Sequence, residues 1–156
     1  MAIQIIAVGQ KMPAWVEQGV ADYARRFPRA QTVRLTEVPV AQRTTGQPVE
    51  RLQRQEMERI LRQRQPGSLL IAMDERGRQW STREWGEHYR QWQQRHPNVD
   101  FVLGGPDGLH PELLAMAGLK LALGRMTLPH GLARVVLIEQ LYRAWSLSQG
   151  HPYHRE

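Results

Sequence analysis

Three short segments carry residue types that could do chemistry, and each follows an apolar run of strand length. They are Met73-Asp74, Leu103-Gly104-Gly105-Pro106-Asp107-Gly108, and Leu123-Gly124-Arg125-Met126-Thr127-Leu128-Pro129-His130. Strands that run parallel place their carboxyl ends along one edge of the sheet, so loops at those ends can converge on a ligand. The stretch 104–108 holds three glycines in five residues, which lets backbone pass close to a ligand and expose N–H groups. It matches neither G-x-G-x-x-G nor G-x-x-x-x-G-K-[ST], and that disfavours dinucleotide or nucleoside triphosphate chemistry. A tight strand-to-helix turn would use the same glycines.

The chain end adds His151, Tyr153, His154 and Arg155 within five residues. Tyr and His can stack on bases and Arg can pair with phosphate, so the segment suits nucleic acid, although chain ends also fray. As a metal site it is poor, because its two histidines have no cysteine or carboxylate at ligand spacing. The chain has no cysteine at all, which removes disulfides, Cys-ligated metals and a Cys nucleophile. No Ser-His-Asp or HExxH arrangement supports hydrolysis. Arg134 is unusual in sharing one side of a helix with Leu137, Ile138, Leu141, Ala144 and Trp145, while Glu139, Gln140 and Arg143 lie opposite. A guanidinium there needs a partner. An internal ion pair and a phosphate or subunit contact both satisfy it.

The elements that must position these residues follow from periodicity and punctuation. Residues 2–8, 33–38, 68–73, 99–103 and 120–123 have strand character. Helical spacing runs from Pro13 to Phe27, over 49–65, from Ser81 or Thr82 to about 96, from Pro111, and over about 132–148. Residues 40–48 read as an exposed loop and 75–80 as turn-like. Strict alternation of strand and helix predicts a single α/β domain with a largely parallel five-stranded sheet. At 156 residues the chain is most economically one domain. No stretch is long and apolar enough to span a bilayer, and the amino terminus lacks the basic flank of a secretion signal, so no membrane role and a cytoplasmic location are expected.

A net charge of +6 favours a polyanionic partner, though a basic protein need not have one. In the helix over 49–65, Arg51, Arg54, Arg59, Arg62 and Arg64 outnumber Glu50, Glu56 and Glu58. This pattern fits either a solvated face laced by i,i+4 ion pairs or a contact to an RNA backbone.

The segments KMPAWV (11–16), YARRFP (23–28), LGGPDGL (103–109), MTLPH (126–130), LIEQLYRAWS (137–146) and HPYHRE (151–156) together resemble the ribosomal RNA large subunit methyltransferase H family, from end to end of the chain. That family belongs to the SPOUT class of S-adenosyl-L-methionine (AdoMet)-dependent methyltransferases. The resemblance implies one domain over 1–156 with a C-terminal trefoil knot spanning about 68–156, and a homodimer. It also implies methylation of N3 of a pseudouridine in the helix 69 loop of large-subunit ribosomal RNA, favouring the assembled 70S ribosome as substrate, with no metal. AdoMet contacts fall at Met73, Gly104, Leu123, Gly124, Arg125, Met126, Thr127 and Leu128. His130, Tyr153, His154 and Arg155 are expected to line the target-base pocket, with Arg134 and Arg143 near RNA or the partner subunit. Transfer to a ring nitrogen needs no covalent protein adduct, which agrees with the absence of cysteine. A non-catalytic ribosome- or RNA-binding protein is the competing expectation; it accounts for the charge but not for three loop-terminated strands.

Overall fold

The computed structural model describes residues 1–154. Its strands are β1 (Ala2–Val8), β2 (Thr32–Val38), β3 (Leu69–Gln79), β4 (Asn98–Leu103) and β5 (Leu119–Ala122). Helices α1 (Ala14–Arg26), α2 (Val49–Gln63), α3 (Thr82–Arg95), α4 (Pro111–Met116) and α5 (His130–Gln149) alternate with them, and a 3-10 turn over Pro152–His154 follows. The sheet order is β2-β1-β4-β3-β5, and every pairing is parallel. This is the expected α/β architecture.

Side-chain alternation along β1 assigns the layers. Ile3 and Ile5 join Val99 and Phe101 under α1, α3 and α5, whose Val16, Val20, Trp85, Tyr89, Leu137, Ile138 and Leu141 complete the larger core. Ile6, Val8 and Val102 face the other way, against Met57 and Ile60 of α2 and Leu113 of α4. Helix α3 starts on a complete capping box: the Ser81 hydroxyl accepts from the Glu84 N–H, and the Glu84 side chain reaches back to the Ser81 N–H.

One feature departs from the sequence expectation. Residues 75–79 are not a turn but the continuation of β3. Leu121 of β5 stands opposite both Met73 and Arg78, so the intervening residues bulge out of the ladder before pairing resumes at Gln79 and Ala122. Gly77 makes the return possible, since a Cβ there would lie 2.7 Å from backbone atoms of Lys120 and Leu121. Asp100 is fully buried on the α2 side of β4. Its carboxylate accepts from the Gln4 side chain (3.0 Å), the Gln65 N–H (2.8 Å), the Gln65 side chain (2.9 Å) and the Ser68 hydroxyl (2.6 Å). These bonds tie the α2–β3 connection to the amino-terminal half of the sheet.

Candidate functional site

The carboxyl ends of β1, β3 and β4 open onto one cavity of about 620 Å³. Its wall includes Met73, Asp74 and Arg76 from β3, Gly104 through Gly108 after β4, and Thr127, Leu128 and His130 leading into α5. A smaller adjoining cavity of about 110 Å³ shares Met73 and Leu128 and adds Leu123, Gly124 and Met126. The three loops singled out in the sequence therefore meet. Each expected cofactor residue except Arg125 borders one of the two cavities; Arg125 is exposed and borders neither.

Elements remote in sequence shape this site. The β3 bulge carries Asp74, Glu75 and Arg76 to the cavity mouth. The Gly-rich loop closes on itself through the Gly108 N–H and the Gly105 carbonyl at 3.0 Å. Its glycines are required by space: a Cβ on Gly104 would lie 2.8 Å from the Gly108 carbonyl carbon, and one on Gly105 would lie 2.9 Å from both Glu56 Oε1 and Val8 Cγ1. From outside, α2 and the loop before it brace this turn. The Gln53 side chain donates to the Asp107 carbonyl (2.8 Å), and Arg43 donates to the Asp107 carboxylate (2.5 Å). Arg43 also stands 3.5 Å from Glu56 Oε2, which accepts the Ala41 N–H at 2.9 Å. Glu56 is buried, and its Oε1 has no hydrogen-bond partner.

Arg134 makes the internal ion pair and also borders the large cavity. It is 1% exposed, pairs with Glu37 on β2 and donates to the Gly9 carbonyl at 2.9 Å, stitching α5 to the ends of two strands. Of the two alternatives open from the sequence, the ion pair is the one the structure displays, and the residue is almost fully buried within its own chain. Arg143 is likewise engaged, with Glu139 at 2.6 Å. On α2, Arg54 bridges Glu50 and Glu112, Arg59 donates to the Pro39 carbonyl and Arg64 to the Ser68 carbonyl, while Arg51 and Arg62 are exposed.

Of the four expected catalytic residues, the structure places His130 on the cavity wall. Tyr153 lies elsewhere within its own chain. Its hydroxyl donates to Glu139 (2.7 Å) and accepts from Tyr23 (3.0 Å), and its ring packs edge-on against Tyr142. Glu139 and Arg143 are nine and thirteen residues along α5 from His130, about 13–20 Å at the helical rise. Burial works to raise the Glu139 carboxyl, but hydrogen bonds from Arg143, Tyr153 and Gln140 outweigh it and hold the group below the ordinary glutamate range. Burial first, then the bonds to Tyr23 and Glu139, push the Tyr153 phenol well above its ordinary value, so it remains a neutral donor at physiological pH. The His154 side chain and Arg155 lie outside the described residues. Sequence reasoning missed Arg43, Gln53 and Glu56 behind the Gly-rich loop. Among the described residues no group of three or more His, Cys, Asp or Glu is arranged to hold a metal ion, and no helix is long and apolar enough to cross a membrane.

Comparison with known proteins agrees with this arrangement. Residues 1–154 match the family model described as a predicted SPOUT methyltransferase. A protein of Burkholderia multivorans named ribosomal RNA large subunit methyltransferase H is 46% identical over 155 residues, covering 99% of both chains. Its counterpart in Burkholderia cenocepacia is 45% identical with the same coverage. The structure of a probable methylase family protein from Haemophilus influenzae covers 99% of this chain and 70% of its own at a TM-score of 0.54, and with 16% identity it speaks to the fold alone. A family-model match over 1–154 together with relatives 45–46% identical over 99% of both chains places this chain in the SPOUT methyltransferase family, among the ribosomal RNA large subunit methyltransferase H proteins.

Proposed function

We propose that the chain transfers a methyl group from AdoMet to N3 of a pseudouridine in the helix 69 loop of large-subunit ribosomal RNA, acting on the assembled 70S ribosome in the cytoplasm as a homodimer. The observation that carries this reading is the meeting of three strand-end loops on one cavity. At about 620 Å³ it lies within the few-hundred to ~1,000 Å³ range of small-molecule sites. The apolar Met73, Leu103 and Leu128 suit an adenosine, and the Asp74 carboxylate suits a cationic ligand. Bound there, AdoMet supplies an electrophilic methyl on a sulfonium.

The chain's own residues do the rest by position. Thr127, Leu128 and the Gly-rich loop hold the donor. His130, the only imidazole on the cavity wall among the described residues, stands where the target base enters and orients it for in-line approach. Tyr153 is docked well along α5, so the tail that follows it serves the cavity of a second subunit in this reading, with His154 and Arg155 holding the base across the dimer. Family membership also supports a trefoil knot over about 68–156, within the single domain 1–156, in which the course of β5 and α5 lies through an earlier loop of the chain.

The test is transfer of labelled methyl from AdoMet to 70S ribosomes, separated subunits and free ribosomal RNA, followed by mapping of the modified nucleoside. Label on N3 of one pseudouridine in 70S particles is expected. Label on another nucleoside, or none on ribosomes, overturns the assignment. Substituting His154 or Arg155 should lower transfer and leave AdoMet affinity nearly intact; equal loss of cofactor binding refutes that division of labour. Sedimentation as a stable monomer at micromolar concentration removes the dimer.

A further inference from the structure

Glu56 is a carboxylate on an otherwise apolar helix stripe, 2% exposed, immediately behind the Gly-rich loop. One oxygen accepts the Ala41 N–H and faces Arg43; the other, Oε1, has no hydrogen-bond partner among the described residues. That oxygen lies behind Gly105, a residue of the cavity wall, where an added methyl group would meet it and Val8 Cγ1 at 2.9 Å each. A buried acceptor without a donor is costly, and its persistence beside a ligand cavity calls for a reason. Arg43 stands 3.5 Å from the other oxygen and is shared with Asp107, so the compensation is partial.

We propose that Glu56 is a specificity-determining residue that favours a positively charged sulfonium ligand over its neutral thioether counterpart, with Arg43 setting the strength of the bias. This inference rests on the reading of the cavity as an AdoMet site. AdoMet and S-adenosyl-L-homocysteine carry the same adenosine, ammonium and carboxylate; they differ by one methyl group and one positive charge at sulfur. A fixed carboxylate in a low-dielectric wall acts on that difference and leaves the shared groups unaffected in ratio. The consequence is release of product: once the methyl has left, the wall no longer attracts the sulfur, and fresh donor displaces spent donor.

The test is calorimetric titration of the full-length protein with AdoMet and, separately, S-adenosyl-L-homocysteine, in wild type, Glu56→Gln and Arg43→Gln. Glu56→Gln keeps the side-chain shape and an acceptor for the Ala41 N–H. It is expected to lower the preference for AdoMet about three- to tenfold, the scale of one partly offset charge acting from behind the cavity wall at an effective dielectric of about 20. Arg43→Gln removes the offsetting cation and should shift the ratio the opposite way, even if a loosened loop weakens both ligands. A purely structural role for Glu56 would weaken both ligands equally. A Glu56→Gln ratio within twofold of wild type, or shifts of the same sign in both variants, overturns the proposal. If Glu56→Gln fails to fold by circular dichroism, Arg43→Gln in an Asp107→Asn background decides: with the Asp107 charge gone, the ratio must still rise above that of Asp107→Asn alone, and an unchanged ratio overturns the proposal. Wild-type protein that binds neither ligand sinks the underlying cofactor reading instead.

Discussion

Gly77→Ala tests the link between the β3 bulge and the cofactor loop. The ideal Cβ would sit 2.7 Å from the Leu121 nitrogen, the Leu121 carbonyl carbon and the Lys120 carbonyl carbon. Carbon atoms rest at about 3.5–4.0 Å, so β5 must retreat by roughly 0.8–1.3 Å, and no side-chain rotation can relieve contacts that are all backbone. Overpacking alone costs about 1–3 kcal/mol, and withdrawal of β5 also threatens the pairs Arg78–Leu121 and Gln79–Ala122. A loss of about 3 kcal/mol or more is expected, equivalent to a fall in Tm of about 6–12 °C for a domain of this size. Urea unfolding followed by tryptophan fluorescence measures it, with Gly124→Ala as the control, because a Cβ there meets nothing within 4 Å. Residues 123–128 continue directly from β5, so AdoMet affinity should fall alongside stability in Gly77→Ala. A destabilisation below 1 kcal/mol would refute the claim that close backbone approach demands glycine at this position.

Arg134→Met should cost about 2–4 kcal/mol by denaturant titration, less than a fully buried pair because the Glu37 side chain is 32% exposed and can rehydrate. Lysine at 134 should not rescue it, since one ammonium cannot serve both Glu37 and the Gly9 carbonyl as the guanidinium does. Tyr89→Phe should be neutral or stabilising by about 1 kcal/mol, because the buried Tyr89 hydroxyl has no hydrogen-bond partner; a clear loss would reveal one. Docking of Tyr153 should depend on acid pH. The folded Glu139 pKa lies below its ordinary 4.5, so this contribution is fully present above that value and disappears as pH falls through the lower folded pKa. The close contact of the Tyr153 ring with Tyr142, followed by NMR, should therefore persist from pH 7 to 5 and be lost only below about 4.5; its loss near pH 6 would contradict the Glu139 anchor.

The alternation of strands and helices was readable because proline and glycine mark nearly every boundary, as at Pro28, Pro66-Gly67 and Gly104-Gly105. The convergence of the three loops followed from parallel topology alone. The continuation of β3 past Asp74 was hidden, because Arg-Gly-Arg looks like a turn unless the approach of β5 to Gly77 is known. The wheel of α5 exposed Arg134 as anomalous, but its partner Glu37 lies 97 positions away and carries no local signal. Glu56 could have been found by the same device, being four residues from both Leu52 and Ile60; the surplus of arginines around it drew the helix toward a solvated reading. No periodicity tells that Tyr153 folds back onto Tyr23, since that contact is made by aromatic packing between the two ends of the chain.

The four donors gathered on Asp100 have a consequence for how the molecule breathes. They clamp the amino-terminal end of the sheet, where exchange of the Gln65 amide proton should require near-global opening. At the opposite end, residues 124–129 have no regular secondary structure, and their amides should exchange through small local fluctuations. Rigidity and adaptability are thus set at opposite poles of one sheet, and an engineer could reinforce the first without stiffening the second.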